Sequence, residues 1–320
     1  MTKEKLNNTQ TTQTGKTALF SSTKETHCGF VVLLGAPNAG KSTLLNRFIG
    51  EKVSIVSPKV QTTRSRIRGI FVRDNTQIVF TDTPGIFKPK RRLDRAMVAS
   101  AWAEAGDADC TLLLVDVKKG LSEETLAIIN GLKKAGQKAV LVLNKIDLVS
   151  KETLLPFIQT LNETGVFTDT FSVSAQTGEE VEALLSFLIQ KMPVHPFMFP
   201  ADQISDLPQR LFAAEITREK LFLYLQQELP YSLTVETTSF QEKSDGSFHI
   251  EQTIFVQRES QKSIIIGKKG SMIKKIGEHS RKELSSLLEV PVHLFLFVKV
   301  RENWADDPER YRNMGLDFNV

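Results

Sequence analysis

The strongest chemical signal in the chain is Gly35-Ala36-Pro37-Asn38-Ala39-Gly40-Lys41-Ser42, a turn framed by glycines and closed by a lysine and a hydroxyl. An apolar run precedes it and a helical pattern follows. Glycines let successive backbone N–H groups turn inward around an anion. The start of the next helix adds its positive end. This spacing cradles a nucleotide's β-phosphate. Lys41 is placed to reach the β- and γ-phosphates, and the Ser42 hydroxyl to ligate Mg²⁺. Thr43 follows on the first turn and completes the loop's contacts.

The choice of base rests on Asn144-Lys145-Ile146-Asp147. Guanine presents two adjacent donors that one carboxylate, Asp147, can accept. Adenine presents an acceptor there and is rejected, since an unpaired buried polar group is costly. Asp82-Thr83-Pro84-Gly85 follows a strand pattern. Asp82 can hold the magnesium through a water, and the Gly85 N–H can touch a γ-phosphate. In 61–65, "QTTRS", either Thr62 or Thr63 can add a hydroxyl to the metal, and Thr63 is favoured. Ser174 and Ala175 end a later strand, where the Ala175 N–H can meet the guanine oxygen. The expected catalytic set is Lys41, Asn38, Thr63 and Gly85. The expected magnesium set is Ser42, Thr63 and Asp82.

A second glycine loop differs in kind. Residues 258–282 hold eight Lys and Arg against two acids. At their centre stand Ile266, Gly267, Lys268, Lys269 and Gly270, with Lys274 and Lys275 beyond. The lysines lie between the glycines, so no Gly-Lys-Ser order for a metal-bound triphosphate exists. The pattern is similar to the GXXG loop of a KH domain, which clamps the backbone of single-stranded RNA. Ile264, Ile265, Met272, Ile273 and Ile276 are either the floor of a base-binding groove or plain core.

Two sets of elements must position these loops. Apolar strands at 29–35, 110–117, 138–147 and 169–175 alternate with helical patterns at 41–50, 122–136, 151–165 and 179–192; two strands within 67–85 turn at Asp74-Asn75. Alternation of this kind predicts an α/β domain with a mostly parallel sheet. Four prolines within 193–208 interrupt the rhythm and read as a linker. A helix over about 209–228, a hairpin, the GXXG loop, a helix to about 289 and a strand at 292–300 then make a separate α+β module. The expected division is a polar tail over 1–27, a nucleotide domain over 28–194, a linker over 195–208, an RNA-binding domain over 209–303 and a C-terminal tail over 304–320.

Bulk composition agrees. With 320 residues, 41% hydrophobic and 24% charged, the chain fits two globular domains. A net charge of +4 is too small to identify a nucleic-acid partner without the local clustering. Cys28 and Cys110 suit buried free thiols in a reducing compartment. No apolar run approaches a membrane span, and the N-terminus lacks a signal core.

The ordered set "GAPNAGKS", "QTTRS", "DTPG", "NKID" and "VSA" resembles the translation-factor-related GTPases of the P-loop superfamily. With the type II KH order behind it, the chain resembles the Era-type GTPases over nearly everything after residue 28. That resemblance implies a cytoplasmic GTP/GDP switch that binds the 3′ end of 16S ribosomal RNA and acts in assembly of the small (30S) subunit. It also implies Mg²⁺, a monomer and loose association with the inner membrane. Ile86 stands where Ras-type GTPases carry a water-orienting Gln, so slow intrinsic hydrolysis is expected. Asn38 is either a potassium ligand, as in related GTPases with this Asn, or a turn former. A tRNA-modification or other assembly GTPase of the same branch, and an RNA-binding scaffold with a structural nucleotide, are the alternative readings.

Overall fold

A computed structural model of the protein describes residues 25–320, so the tail expected over 1–27 lies almost wholly outside the described residues. The chain opens with β1 (His27–Gly35), whose Val31, Val32, Leu33 and Leu34 are all buried. A central parallel strand covered on both faces requires such a run. There follow α1 (Lys41–Ile49), β2 (Ile67–Arg73), β3 (Thr76–Asp82), α2 (Arg92–Asp107), β4 (Cys110–Asp116), α3 (Glu123–Lys134), β5 (Ala139–Asn144), α4 (Leu154–Asn162), β6 (Phe167–Val173) and α5 (Val181–Lys191). The sheet runs β2-β3-β1-β4-β5-β6, with β2 antiparallel to β3 and every other pairing parallel.

Side chains alternate between two cores. Val31 and Leu33 meet Leu44 of α1 and Leu184 of α5 on one face. Val32 and Leu34 meet Ala101 of α2 and Ile128 of α3 on the other. α2 has no counterpart in the sequence reading. Its buried face is mostly small (Ala96, Met97, Ala101, Ala105), so its apolar stripe is faint.

The second domain comprises α6 (Gln209–Tyr224), β7 (Leu233–Glu242), β8 (Phe248–Val256), α7 (Glu259–Ile266), α8 (Ser271–Leu287) and β9 (Val292–Val300). β7 and β8 pair antiparallel, β8 and β9 parallel. α6 stops at Tyr224 rather than about 228, because Leu229–Ser232 forms a separate 3₁₀ turn around Pro230. One sheet face packs on the helices, burying Ile254, Val256, Leu221, Ile265 and Ile276 together.

Two segments set aside by sequence are built into the fold. The proline-rich stretch straps the outer edge of the first sheet. The Met198 and Phe199 amides donate to Gln77 Oε1 at 2.8 and 3.0 Å, the Ile70 amide donates to the Ile204 carbonyl at 2.9 Å, and Ser205 Oγ donates to the Arg68 carbonyl at 2.8 Å. An edge strand's unpaired groups are thereby covered. Residues 304–320 are no loose tail either. Trp304, Tyr311 and Leu316 are buried, and α9 (Pro308–Asn313) sets Tyr311 against Ala96 and Met97 of α2. Large aromatic rings of this kind are buried where the two domains meet.

Candidate functional site

β1 ends at Gly35 and α1 begins at Lys41, so the loop between them lies at the carboxyl ends of the parallel strands, where open α/β sheets bind ligands. Gly40 has a left-handed backbone (φ 99°), and a Cβ there would come within 2.1 Å of Asn144 Nδ2. Only glycine allows the loop to close against β5. A Cβ on Gly85 would meet the Pro37 backbone at 2.8 Å, so the 82–85 turn is pressed onto the same loop. Together they enclose a cavity of about 200 Å³ lined by Lys41, Ser42, Thr63, Gly85 and Lys145 among others.

Lys41 is buried, and Nζ donates to the Gly35 and Ala36 carbonyls at 3.2 Å each. Burial lowers its pKa to about 8, against an opposing pull from Asp82. Asp82 is fully buried and its carboxyl is pushed above the ordinary range, chiefly by desolvation. Asp82 Oδ2 accepts from Ser42 Oγ at 2.6 Å, Ser54 Oγ at 2.9 Å and Thr63 Oγ1 at 3.1 Å. Ser42 Oγ and Thr63 Oγ1 are 3.0 Å apart. Asp82 Oδ1 is buried with no partner. An orphaned carboxylate oxygen beside clustered hydroxyls suits a hard, oxygen-seeking cation such as Mg²⁺. No group of three His, Cys, Asp or Glu among the described residues could hold a softer metal.

The geometry separates the two threonines. Thr62 Oγ1 turns away and donates to the Lys59 carbonyl at 2.7 Å; Thr63 faces Ser42 and Asp82. Ser54 had no signal in the sequence. It arrives because Asn46 of α1 accepts from the Val53 and Ser54 amides at 2.9 Å each, pinning that segment beside the Ser42 and Thr63 hydroxyls. Thr83 is buried and donates to the Leu33 carbonyl at 2.6 Å, so its hydroxyl anchors the turn to β1. Ile86 is buried among Val32, Leu34 and their neighbours, with its amide on the Gly35 carbonyl at 3.1 Å. It offers no polar group to a water.

At the base end, Asn144 ties three segments together. Nδ2 donates to the Ala39 carbonyl at 2.8 Å, while Oδ1 accepts from the Lys145 and Ala175 amides at 2.8 and 3.0 Å. The Ala175 N–H, expected at the guanine oxygen, is held at the end of β5 by this bond to Asn144. Ser174 Oγ likewise caps its own turn at the Thr177 amide. Lys145 Nζ donates to the Asn38 carbonyl at 2.8 Å and pairs with Asp116, a buried acid that the sequence reading passed over although it ends β4. Asn38 has φ 64° and its Nδ2 donates to the Pro58 carbonyl at 2.7 Å, joining the phosphate loop to segment 51–65. Asp147 is exposed, in the short turn after β5.

Segment 51–65 also crosses to the second domain. Ile55 is buried among Ala213, Ile216, Leu284 and Val292. Glu219 of α6 accepts from the Val56 amide at 2.8 Å and pairs with Lys52, which also meets Glu283 of α8. Lys59 Nζ donates to the Leu225 carbonyl at 2.7 Å. Arg64 is 3% exposed and donates to the Leu233 and Pro230 carbonyls at 2.6 and 3.1 Å, while Arg218 of α6 donates back to the Thr62 carbonyl. Burial, then the nearby Arg218 charge, lowers the Arg64 pKa. Arg64 is the one charged residue of the 61–65 segment, and its burial makes it a domain clasp. Arg66 and Arg68 pair with Glu104 and Asp206, whereas Lys88, Lys90, Arg91 and Arg92 stay exposed.

In the second loop Gly267, Lys269 and Gly270 all have positive φ (72°, 52° and 77°). A Cβ on Gly267 would strike Met272 Cβ at 2.7 Å, whereas one on Gly270 meets nothing within 4 Å. Lys268, Lys269, Lys274 and Lys275 are exposed, and Ile266 is half-buried. Lys275 Nζ lies over the Tyr224 ring at 4.4 Å. The five apolar residues divide: Ile265 and Ile276 are core, Met272 and Ile273 are half-buried, and Ile264 is 56% exposed. The groove beside the loop, about 490 Å³, has Ile273, Gly277, Leu294 and Leu296 in its wall, with Lys274 and Arg281 at its margin.

Comparison with known proteins agrees with both domains. Residues 30–145 match the family described as 50S ribosome-binding GTPase, and residues 228–305 match the KH domain. GTPase Era of Mesorhizobium japonicum is 59% identical over 296 residues, 92% of this chain and 96% of that one. GTPase Era of Agrobacterium fabrum is 60% identical over 293 residues, 92% of each. Among solved structures, Aquifex aeolicus Era bound to GDP and AlF₄⁻ superposes with a TM-score of 0.86 at 37% identity, covering 92% of this chain and 100% of that chain. Era in complex with MgGDPNP and nucleotides 1506–1542 of 16S ribosomal RNA gives the same figures. Matched by Era proteins at about 60% identity over 92% of its length and by both domain families, the chain belongs to the Era family of GTPases: it hydrolyses GTP and carries a KH domain.

Proposed function

We propose that the protein is a GTP-driven switch that binds the 3′ end region of 16S ribosomal RNA through its KH domain and acts in assembly of the 30S subunit. The observation that carries this reading is the position of Thr63. It stands at the Asp82 carboxylate on one side and between Thr62 and Arg64 on the other, both held by the second domain. Ser42 and Thr63 supply hydroxyls to Mg²⁺, and Asp82 orients its water. Mg²⁺, when bound, neutralises charge on the β- and γ-phosphate oxygens. Lys41 holds the same oxygens, and the Gly85 amide reports whether the γ-phosphate is there. Asp147 accepts the two guanine donors. Attacking water is positioned by backbone groups or a cation, since the Ile86 side chain has no polar atom; Asn38 is the candidate potassium ligand.

The RNA backbone lies along Ile266–Gly270, with Lys268, Lys269, Lys274 and Lys275 beside its phosphates. A relative has been solved with a fragment of 16S ribosomal RNA bound, which supports RNA as the partner. We further place the protein in the cytoplasm, as a monomer, with peripheral contact to the inner membrane. No described helix is long and apolar enough to cross a membrane. The test is RNA affinity measured with GDP and with a non-hydrolysable GTP analogue, alongside multiple-turnover hydrolysis in potassium and in sodium. A changed RNA affinity between the two nucleotides supports the switch; equal affinity sinks it.

A further inference from the structure

We propose that the outer face of the KH sheet is a base-stacking platform for single-stranded RNA, centred on Phe295 and Phe297. The inference rests on the reading that the neighbouring groove takes RNA. β9 alternates: Leu294, Leu296 and Val298 lean toward the helices, while His293, Phe295, Phe297 and Lys299 face out. Phe295 is 48% exposed and Phe297 47%, unusual for aromatic rings in the middle of a strand. Alternate residues of a strand stand about 6.7 Å apart along it, a step that suits successive unstacked bases.

The rings are braced. The His249 ring lies 4.9 Å from that of Phe295, and His249 Nε2 sits 3.2 Å from Glu251 Oε1, engaging the acid that pairs with Phe295 in register. His293 and Lys299 flank the pair, and Lys274 and Arg281 line the adjoining groove, so the cations nearby favour a polyanion. The face already takes a planar cation by stacking at its far end, where Arg310 lies over Phe255 at 4.4 Å.

Continuity points to the same occupant. Phe295 also walls the groove below Lys274 and Arg281. A GXXG clamp holds about four nucleotides. A longer strand leaving the groove meets Phe295 at the sheet edge and turns onto Phe297.

The experiment is fluorescence anisotropy on the full chain with labelled oligoribonucleotides of about four and about twelve nucleotides. Base–aromatic stacking is worth roughly 1–3 kcal/mol per base. Phe295→Ala/Phe297→Ala should therefore weaken the longer strand about tenfold or more and leave the shorter one unchanged. Phe295→Leu/Phe297→Leu keeps apolar area without rings and should behave like the alanine pair; thermal melting confirms that both variants fold. Undiminished binding of the longer strand by the alanine pair overturns the platform and leaves the face to a protein partner. Full binding by the leucine pair also overturns it. If Lys268→Glu/Lys269→Glu abolishes both lengths while the alanine pair binds normally, only the platform falls. If the wild type binds neither length, the groove reading falls with it.

Discussion

The two glycine loops face opposite demands. In Gly35–Ser42 the glycines are forced by close approach, the lysine is buried, and three other segments press on the turn. In Gly267–Gly270 one glycine opens onto free space and the lysines stand in solvent. The first loop is a closed cradle that must exclude everything but one polyphosphate. The second is an open rail, indifferent to what lies before or after the stretch it holds. Enclosure gives discrimination and openness gives reach along a polymer.

The contrast is sharpest in paired substitutions. Gly40→Ala places a methyl group 2.1 Å from Asn144 Nδ2 on a left-handed backbone; strain and overpacking together reach about 3 kcal/mol or more. GDP affinity, read by a fluorescent analogue, should fall about a hundredfold or more. Gly270→Ala bears only the backbone penalty of roughly 1–2 kcal/mol, so RNA affinity should fall by tenfold or so. Equal losses would erase the distinction between cradle and rail.

Arg64→Ala comes next. It removes a buried guanidinium from two carbonyls, at about 3 kcal/mol. Denaturant unfolding should then split into two transitions, one per domain, and Arg64→Lys should restore little because it lacks the fork. A single unchanged transition would show that the domains do not depend on this clasp. Lys268→Glu/Lys269→Glu should lower RNA affinity by about tenfold to a hundredfold at ordinary salt and flatten its salt dependence, while GTP affinity stays within about twofold. A matching loss of GTP affinity would mean that the rail is not separate from the cradle.

The smallest effect is on pH. Burial depresses Lys41 to about 8, below its ordinary 10.5, and bound phosphates require the charged form. Below that pH the free protein already carries the proton, and affinity is flat in this group. Above it, binding must take up a proton, so GTP affinity should fall with rising pH, approaching tenfold per unit. Titrations between about pH 7 and 9 check the sign.

Legibility followed the same division. Glycines and charged residues whose spacing alone defines a function, such as Gly35, Gly40, Lys41 and Gly267–Gly270, can be read from a single segment. Ser54 cannot: its place at Asp82 depends on Asn46 folding the intervening chain back. Asp116 could have been suspected, as an acid ending a strand beside the strand of Asn144. The apolar residues around the second loop divide between core and surface by which helix side each falls on, and Ile265 and Ile264 differ by one position. The α/β and α+β rhythms predicted the sheets, but the strap and the aromatic C-terminal segment depend on a partner surface that no local pattern encodes.

The clasp on Thr62 and Arg64 has a thermodynamic consequence. Whatever factor bound triphosphate and metal impose on RNA affinity through that segment, RNA must impose the same factor on the triphosphate. A ribosomal precursor that engages the KH domain would then act as an effector of the nucleotide site about one domain away, tightening or weakening its grip on GTP. Occupancy of the nucleotide site would track the maturation state of the RNA, with no separate sensor needed.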